Sequence, residues 1–345
     1  MQIKQITRRI KLANEILNAL LNEYEQKKLR AEIAADERKV SLYKKIPRLQ
    51  TLEDEINNNA LTTARNILNR RLSDLSSLSD KMNSLKKEKE DILIKNHIDI
   101  DYLKPHYECP ICKDTGYIQK ENYQTEMCSC LRQKLLDISF NKSNMSNLDK
   151  ENFSTFNELL FSNEANPKKY RFSISPRENI LKIKEKSLEF VQNFDHPDYK
   201  NLLFSGNTGL GKTFLSNCIA NEVLKLGKTV LYQTAPVLLE NIIDYKLNKQ
   251  KSNLEDINKS VLETDLLIID DLGTESLNSM KLSELFTIIN TRILNLNHKI
   301  TKTIISTNLN INEIFSKYEE RIGSRIAGYY DIYCFFGDDI RFKVK

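Results

Sequence analysis

The sequence predicts an α/β protein in which a helical region and a small cysteine-rich module precede a parallel sheet covered by helices. From about residue 150 onward, strand-like apolar runs alternate with helical patterns, an alternation typical of parallel sheets whose strands are joined by helices. By contrast, the first 100 residues contain no glycine and one proline, Pro47, which favours long helices. The expected strands are Leu202–Ser205, Thr229–Thr234, Leu266–Asp270, Thr303–Thr307 and Ile332–Phe336.

The N-terminal region carries an amphipathic stripe. Apolar residues recur at steps of three and four within Ile3–Leu20, Leu49–Ala60 and Leu68–Leu85, which places them on one face of a helix. We therefore expect two or three long helices, with a break near Pro47 and a second candidate break at Asn57–Asn59. The stripe fits an ordinary helical bundle and a coiled-coil arm for a partner equally well.

The charge of the chain is mild and unevenly placed. The net charge is +5, and the first 100 residues hold 20 Lys and Arg against 15 Asp and Glu. This local excess fits nucleic acid, an acidic protein face or a solvated helical surface. No apolar run is long enough to span a bilayer, and the N-terminus lacks the apolar core of a secretion signal. We therefore expect a cytoplasmic protein without a membrane partner.

The most specific motif is a phosphate-binding loop of the pattern G-x-x-x-x-G-K-[ST]. Its residues are Gly206, Asn207, Thr208, Gly209, Leu210, Gly211, Lys212 and Thr213. Glycines let the backbone turn several N–H groups toward phosphate oxygens, while Lys212 can reach the β- and γ-phosphates and Thr213 can bind Mg²⁺. A strand is expected before the loop and a helix after it. The sequence therefore predicts a site for a nucleoside triphosphate with Mg²⁺.

Two acids follow another expected strand. Asp270 and Asp271 come directly after the apolar run Leu266–Ile269, and ligands gather at the carboxyl ends of parallel strands. Asp270 is placed to hold Mg²⁺ directly or through water, and Asp271 to polarise the attacking water. An acidic pair that ends a strand for solubility is the alternative.

Further polar residues lie downstream. Asn308 follows the strand Thr303–Thr307 and can bond the γ-phosphate or the attacking water, or it can form a turn. The segment Glu320–Ile326 contains two arginines, Arg321 and Arg325. An arginine that reaches the γ-phosphate of a neighbouring subunit can raise turnover by about 10³–10⁵, whereas surface ion pairing is the ordinary use. Arg341 could return a positive charge to the nucleotide.

Four of the six cysteines form a cluster in the sequence, Cys109 and Cys112 followed by Cys128 and Cys130. A tetrahedral zinc site needs four such ligands converging from two turns, and disulfides are disfavoured in a cytosolic chain. The second pair is the tighter Cys-x-Cys, so His106 is a possible substitute ligand. With four thiolates no coordination position stays open for water, so the predicted zinc is structural. Cys218 and Cys334 lie inside apolar patterns, which predicts two core residues.

Taken in order along the chain, these motifs resemble the bacterial replicative-helicase loaders. Those proteins belong to the AAA+ ATPases, in the group that also holds initiator and transposition-helper ATPases. Two upstream patches, Glu151–Phe156 and Ser175–Asn179, add to the resemblance. The segment Cys109–Gly116 is similar to the zinc region of loaders from low-GC Gram-positive bacteria. The resemblance covers roughly residues 105–345 and is weak over the first 100 residues.

The resemblance implies a three-layer α/β/α AAA+ P-loop domain with defined residue roles. It implies that Asp270 and Asp271 are the Walker B pair, Asn308 the first sensor, Arg325 the arginine finger, with Arg321 as a competing candidate, and Arg341 the second sensor. The general AAA+ pattern has Glu where this chain has Asp271. The shorter side chain implies slow hydrolysis, suited to a switch more than to a motor.

We therefore expect three domains: a helical partner-binding region at 1–100, a zinc-binding module at 101–140 and an AAA+ ATPase domain at 150–345, with the polar linker Asn141–Asn147 before the last. The function that the resemblance implies is ATP-dependent loading of the replicative DNA helicase onto single-stranded DNA during initiation or restart of replication. The implied cofactors are ATP, Mg²⁺ and Zn²⁺. The implied partners are the helicase, single-stranded DNA and further copies of this chain.

Two other functions stay open. One is a transposition helper that recruits a transposase to duplex DNA, and the other is a zinc- and coiled-coil-based adaptor whose ATPase senses nucleotide. The DNA-facing residues are not fixed by the sequence. A basic helical stretch, with Lys246, Lys249, Lys251 and Lys259, fits either a DNA-facing element or a solvated helix face.

Overall fold

A computed structural model describes residues 2–68, 75–120, 123–138, 150–248, 257–294 and 299–343. The chain divides into two compact units, one comprising Ala19–Glu126 and the other Met1–Asn18 with Met127–Lys345. The predicted linker Asn141–Asn147 lies outside the described residues. Within the described ranges, no helix combines the length and the apolar character needed to cross a membrane.

Three long helices come first in the chain. α1 spans Gln2–Lys45, α2 spans Pro47–Leu68 and α3 spans Leu75–Lys95, and a 3₁₀ turn follows over Ile100–Leu103. The predicted break near Pro47 is confirmed. Pro47 is the first residue of α2, a position where its missing N–H costs no helical hydrogen bond.

The second candidate break, at Asn57–Asn59, is wrong, because α2 continues through these residues. Asn59 is buried, and its side-chain Nδ2 donates to the carbonyl oxygen of Leu78 on α3 at 2.9 Å. This contact satisfies a side chain that would otherwise compete with the helical backbone. Part of the predicted apolar stripe packs within the chain, in a small buried core of Leu42, Leu49, Leu93 and Leu103.

A short segment of mixed structure follows. β1 (Tyr117–Gln119) and β2 (Thr125–Met127) form a two-stranded ribbon, and α4 spans Ser129–Leu136. Gln133 of α4 lies against the sheet described next. Its side-chain amide donates to the carbonyl oxygen of Val230 at 3.0 Å and accepts from the Val230 N–H at 2.7 Å, as a neighbouring strand would.

The remaining described strands form one parallel sheet. They are β3 (Asn201–Gly206), β4 (Val230–Thr234), β5 (Leu266–Leu272), β6 (Lys302–Thr307) and β7 (Tyr330–Phe335). Their order is β4-β5-β6-β3-β7, and every neighbouring pair is parallel. Each of the predicted strands overlaps one of these.

Helices connect the strands. They are α5 (Pro167–Tyr170), α6 (Pro176–Gln192), α7 (Lys212–Lys225), α8 (Ala235–Asn248), α9 (Ile257–Glu263), α10 (Ser279–Leu294) and α11 (Ile311–Tyr329). Short 3₁₀ turns cover Glu158–Leu160 and Ile340–Phe342. The sheet therefore has a helix available for each crossover between its parallel strands.

Helices cover both faces of the sheet. On β3, Leu203 faces a core shared with α8, α9, α10 and α11, whereas Leu202 and Phe204 face a second core shared with α6 and α7. Successive strand residues point to opposite faces, so strands buried on both faces read as continuous apolar runs in the sequence. The predicted three-layer α/β/α architecture is confirmed.

A buried arginine ties together the end of the sheet opposite the predicted nucleotide site. Arg292 is 2% exposed, and its guanidinium donates to the carbonyl oxygens of Val261 at 2.8 Å, Thr264 at 3.0 Å and Lys302 at 2.7 Å. Burial lowers its pKa to about 10, so it stays charged at neutral pH. One side chain thus satisfies backbone acceptors at the end of α9 and at the starts of β5 and β6.

Arg292→Met should lower the free energy of unfolding by about 3 kcal/mol or more, because several buried carbonyls lose their donor at once. Arg292→Lys should cost less, since it keeps one charged donor. Urea unfolding followed by circular dichroism, with amide hydrogen exchange in β5 and β6, measures the effect. The matched control is Arg30→Met at an exposed position of α1. Equal stability of the Arg292→Met and Arg30→Met proteins would contradict the prediction.

Candidate functional site

The loop 206–213 lies between β3, which ends at Gly206, and α7, which begins at Lys212. Gly209 and Gly211 have φ angles of +73° and +87°, in the left-handed region that favours glycine. A Cβ at Gly206 would collide with the carbonyl oxygen of Phe335 on β7. The glycines of the motif are therefore required by backbone conformation and by close packing.

Lys212 joins the loop to the end of β6. Its Nζ donates to the carbonyl oxygens of Gly206 at 2.5 Å and Asn207 at 2.7 Å, and to Oδ1 of Asn308 at 2.9 Å. Burial lowers the pKa of Lys212, while the carboxylates of Asp271 and Asp270 act in the opposite direction. The structure thus brings Asn308 to the loop, as the sequence predicted.

The two acids lie on a β-bulge. The pairing of β5 with β6 shifts register between Ile269 and Leu272, and Asp271 has a φ angle of +55°. Aspartate tolerates this left-handed conformation better than most residues, and a bulge re-aims a side chain at a strand end. Asp270 is buried and Asp271 is exposed. Partial desolvation by the surrounding protein nevertheless raises the pKa of Asp271, and the charge of Asp270 adds to the rise.

Asp270 is the most densely bonded acid of the site. Its Oδ2 accepts from Thr213 Oγ1 at 3.1 Å and from the hydroxyl of Tyr232 on β4. Its Oδ1 accepts from Ser306 Oγ on β6 and from the N–H of Asp271 at 3.1 Å. Sequence reasoning did not select Tyr232, which lies inside an apolar strand pattern, and it gave no role to Ser306, although Ser306 belongs to the polar strand end Ser306–Asn308. The available signal was that the hydroxyl of a buried tyrosine usually has a hydrogen-bond partner.

The donors that meet here fit Mg²⁺. Thr213, Asp270 and Asp271 present a hydroxyl and two carboxylates, all hard oxygen ligands of the kind that Mg²⁺ prefers. The adjacent loop supplies backbone N–H groups for phosphate, and Mg²⁺ in such sites is shared between carboxylates and substrate phosphates. The residues present therefore suit a Mg²⁺–nucleotide complex.

Arg341 also lies at the loop. The N–H of Ile340 donates to the carbonyl oxygen of Gly209 at 2.9 Å, which fixes this C-terminal turn on the loop. Asp339 packs so close to Gly209 that a Cβ there would collide with its carboxylate. The Nε of Arg341 donates to Asp339 Oδ1 at 3.0 Å, and the charge of Arg341 reaches Lys212, whose pKa it lowers. The predicted proximity of Arg341 to the loop is thus observed, with Asp339 as its present partner.

The two candidate finger arginines lie on α11. This helix is interrupted at Glu319, whose φ and ψ are 68° and 157°, a conformation rarely adopted by residues other than glycine. Arg321 pairs with Glu319 at 2.9 Å and lies 4.8 Å from the ring centre of Phe286 on α10. Arg325 is half-buried, and its Nε donates to Oδ1 of Asn290 on α10 at 2.9 Å. These described contacts lie on α10 and α11, away from the loop 206–213.

A buried carboxylate connects the acids to α11. Glu275 accepts from the N–H of Gly273 at 3.0 Å and from the hydroxyl of Tyr318, and Glu275 and Tyr318 are both buried. The hydroxyl of Thr274 donates to the carbonyl oxygen of Asp271 at 2.9 Å. The turn after Asp271 is therefore bonded to α11 one residue before the interruption at Glu319. Sequence reasoning did not select this link, because it joins residues far apart in the chain.

The four clustered cysteines converge. The Sγ atoms of Cys109, Cys112, Cys128 and Cys130 all lie within 4.8 Å of one another. A tetrahedral zinc with Zn–S bonds of about 2.3 Å places its sulfurs about 3.8 Å apart, so this group fits zinc. Among the described residues, His106 is not part of the group.

Local hydrogen bonds shape the first cysteine turn. Asp114 is buried, and its carboxylate accepts from the N–H groups of Glu108 at 2.9 Å and Cys109 at 2.8 Å. The N–H of Gly116 donates to Cys112 Sγ at 3.4 Å. Bonds of this kind orient a metal ligand and tune the charge on its sulfur.

Of the two cysteines outside the cluster, one was placed correctly by the sequence and one was not. Cys218 is a core residue, as predicted, but Cys334 is exposed. The apolar pattern around Cys334 comes from β7, an edge strand of the sheet with incomplete cover.

In the basic stretch, Lys246 pairs with Glu284 and Lys259 with Glu263. Lys249 and Lys251 lie outside the described residues.

Residues 130–322 match the family described as IstB-like ATP binding protein. The chain belongs to this ATP-binding family. The matched range contains the loop 206–213, Asp270, Asp271, Asn308 and Arg321, and it ends before Arg325 and Arg341. The prediction of an ATP-binding protein is confirmed by this match.

Relatives of this IstB-like protein include replication proteins. It is 28% identical over 157 residues to the replicative helicase loader DnaC of Escherichia coli K12, covering 46% of this chain and 60% of DnaC. It is 29% identical over 141 residues to the chromosomal replication initiator protein DnaA of Aliarcobacter butzleri, covering 41% of this chain and 28% of DnaA. This IstB-like chain thus spans at most 60% of the length of these relatives.

A solved structure described as the DnaC helicase loader is also similar. It aligns with a TM-score of 0.43 and 21% identity, covering 55% of this chain and 99% of that chain. The fold of this IstB-like protein follows independently from the order and register of its own sheet.

Proposed function

We propose that this chain is an ATP-dependent loader that places the replicative DNA helicase on single-stranded DNA in the cytoplasm, during initiation or restart of replication. One observation carries the proposal: Lys212, Asn308, Asp270 and Thr213 meet at one edge of the sheet through direct hydrogen bonds, in an ATP-binding chain with the loader DnaC among its relatives. ATP binding and hydrolysis would time the release of helicase and DNA.

The residues of the site have separable tasks in hydrolysis. Lys212 would exchange its present carbonyl acceptors for β- and γ-phosphate oxygens. Asp271 would accept a proton from the attacking water, and its raised pKa suits a general base. Asn308 would orient that water or the γ-phosphate. Mg²⁺, held by Thr213 and Asp270, would supply neutralisation of the phosphate charge.

The arginines on α11 support a site shared between copies of the chain. The described contacts of Arg325 and Arg321 are on α10 and α11, so either is available to a neighbouring nucleotide site. We propose Arg325 as the finger and Arg321 as its competitor. Arg341, which lies at the loop of its own chain, would act on its own nucleotide as the second sensor after leaving Asp339.

Lys212→Ala should lose both ATP binding and hydrolysis, whereas Arg325→Ala should keep ATP binding within about twofold and lose hydrolysis by roughly 100-fold or more. Binding of a fluorescent ATP analogue and phosphate release measure the two steps. Mixing the two variants should restore part of the hydrolysis, because one chain supplies an intact loop and the other an intact finger.

Arg321→Ala, measured in the same way, decides between the two arginines. If Arg321→Ala loses hydrolysis and Arg325→Ala does not, Arg321 is the finger. If the mixture of Lys212→Ala and Arg325→Ala chains stays inactive, the shared-site proposal is wrong.

The loader proposal predicts association with the replicative helicase of the same host. Native mass measurement of the purified pair with ATP should show a complex, and the complex should place the helicase on a single-stranded circle. Asp271→Asn should still bind the helicase but release it slowly, because hydrolysis is lost. Absence of any complex with ATP would sink the loader proposal.

DNA binding with ATP, compared between duplex and single strands, and the Asp271→Asn protein test the other two functions. A transposition helper would bind duplex DNA in the presence of ATP in preference to single-stranded DNA. An adaptor that only senses nucleotide would keep its full partner function in the Asp271→Asn protein. Strand preference and the behaviour of that single variant therefore separate the three candidates.

We also propose that the four clustered cysteines hold one structural Zn²⁺, supported by the approach of their Sγ atoms. The purified protein should contain about one zinc per chain, measured by elemental mass spectrometry, since four thiolates complete one tetrahedral site. Cys112→Ser should lose that zinc, whereas Cys218→Ser, at a buried cysteine of the sheet core, should keep it. Equal zinc in the two variants would exclude the site.

A further inference from the structure

The Asp270 carboxylate is held from the strands on both sides of β5. Tyr232 of β4 donates to Oδ2 and Ser306 of β6 donates to Oδ1, while Thr213 of α7 also donates to Oδ2 at 3.1 Å. Because both oxygens accept hydrogen bonds from the protein, rotation of the carboxylate would break bonds on both sides. Asp270 is therefore fixed in orientation by Thr213 of the phosphate-binding loop and by Tyr232 and Ser306 of the two neighbouring strands.

Tyr232 reaches Asp270 because of the parallel register of β4 and β5. Thr234 pairs with Asp270 and Tyr232 with Ile268, so the long phenol side chain can span the two-residue offset along the neighbouring strand. Tyr232 is 2% exposed. Its hydroxyl donates to Oδ2 of Asp270, because a carboxylate oxygen can only accept a hydrogen bond from a phenol.

Ser306 performs the matching task from β6 and also touches the second acid. Its side chain is buried, and its Oγ accepts from the N–H of Asp271 at 3.2 Å. One hydroxyl thus bonds the carboxylate of Asp270 and the backbone of the bulge that carries Asp271. Neither Tyr232 nor Ser306 belongs to the phosphate-binding loop.

We propose that Tyr232 and Ser306 are positioning residues of the Mg²⁺ site, which hold Asp270 in the orientation that Mg²⁺ binding needs and so set the Mg²⁺ dependence of nucleotide binding. Groups that hydrogen-bond a metal-binding carboxylate lower the cost of ordering it. The inference rests on the proposed Mg²⁺–ATP site. It does not rest on helicase loading, so a failure of the loader proposal leaves the inference intact.

The test measures binding of a fluorescent ATP analogue to the full-length protein over a range of free Mg²⁺ and in EDTA. Tyr232→Phe and Ser306→Ala should bind the analogue in EDTA within about twofold of the unmodified chain. The Mg²⁺ concentration for half-maximal tightening should rise about tenfold or more in each variant, the range expected when a group that orients a metal ligand is removed.

The matched control is Tyr330→Phe, which removes a buried phenolic hydroxyl from β7 of the same sheet and should leave the Mg²⁺ dependence unchanged. Asp270→Asn is the reference for a site that has lost its carboxylate. A Mg²⁺ half-saturation within twofold of the unmodified chain in both variants would overturn the proposal. Equal weakening with and without Mg²⁺, or loss of folding in both, would also overturn it, by showing that the two hydroxyls serve only the fold. If the unmodified chain itself showed no tightening by Mg²⁺, the proposed Mg²⁺ site would fail first.

Discussion

The nucleotide site depends on the parallel register of three neighbouring strands, β5, β6 and β3. Ile304 of β6 pairs with Ile268 on one side and with Leu202 on the other. From these pairs the strands run to the same edge and end beside Asp270, Asn308 and the loop that follows Gly206. A slip of one residue would turn each of these side chains to the opposite face of the sheet. The buried apolar residues of both cores prevent that slip, so the packing that stabilises the domain also aligns the site.

The charge of Lys212 is opposite to the charges of Asp270 and Asp271 at this edge of the sheet. Burial makes the ammonium of Lys212 and the carboxylate of Asp271 each less favourable, and it shifts their pKa values toward the neutral forms. Each charge moderates the shift of the other. Removing one member of such a partly buried set leaves the others uncompensated and costs more than the pair contributes in itself. The backbone carbonyls of the loop and the amide of Asn308 complete the contacts of Lys212.

The sequence predicts the features that depend on residues close together in the chain. It does not predict contacts between residues that are far apart in the chain. Strand positions depend on local periodicity, and the prediction was correct for them; the loop and the acids follow from motif spacing, and the structure places them at the ends of β3 and β5. The candidate break at Asn57–Asn59 was wrong because Asn59 is satisfied by Leu78, 19 residues away. The contacts of Tyr232 with Asp270 and of Tyr318 with Glu275 join distant segments, so no local pattern marks them. Cys334 was misplaced because an apolar pattern does not reveal whether its strand lies at the edge of a sheet.

The interruption of α11 lies between the turn that carries Asp271 and the two candidate finger arginines. The turn after Asp271 is bonded through Glu275 to Tyr318, and the next residue, Glu319, adopts a backbone conformation that costs of order 1–3 kcal/mol. Beyond it, the rest of α11 carries both candidate finger arginines. A strained junction persists only when its surroundings hold it in place, and the buried Glu275–Tyr318 bond is one such restraint. The Glu275–Tyr318 bond therefore ties the turn that carries Asp271 to the segment of α11 that carries Arg321 and Arg325.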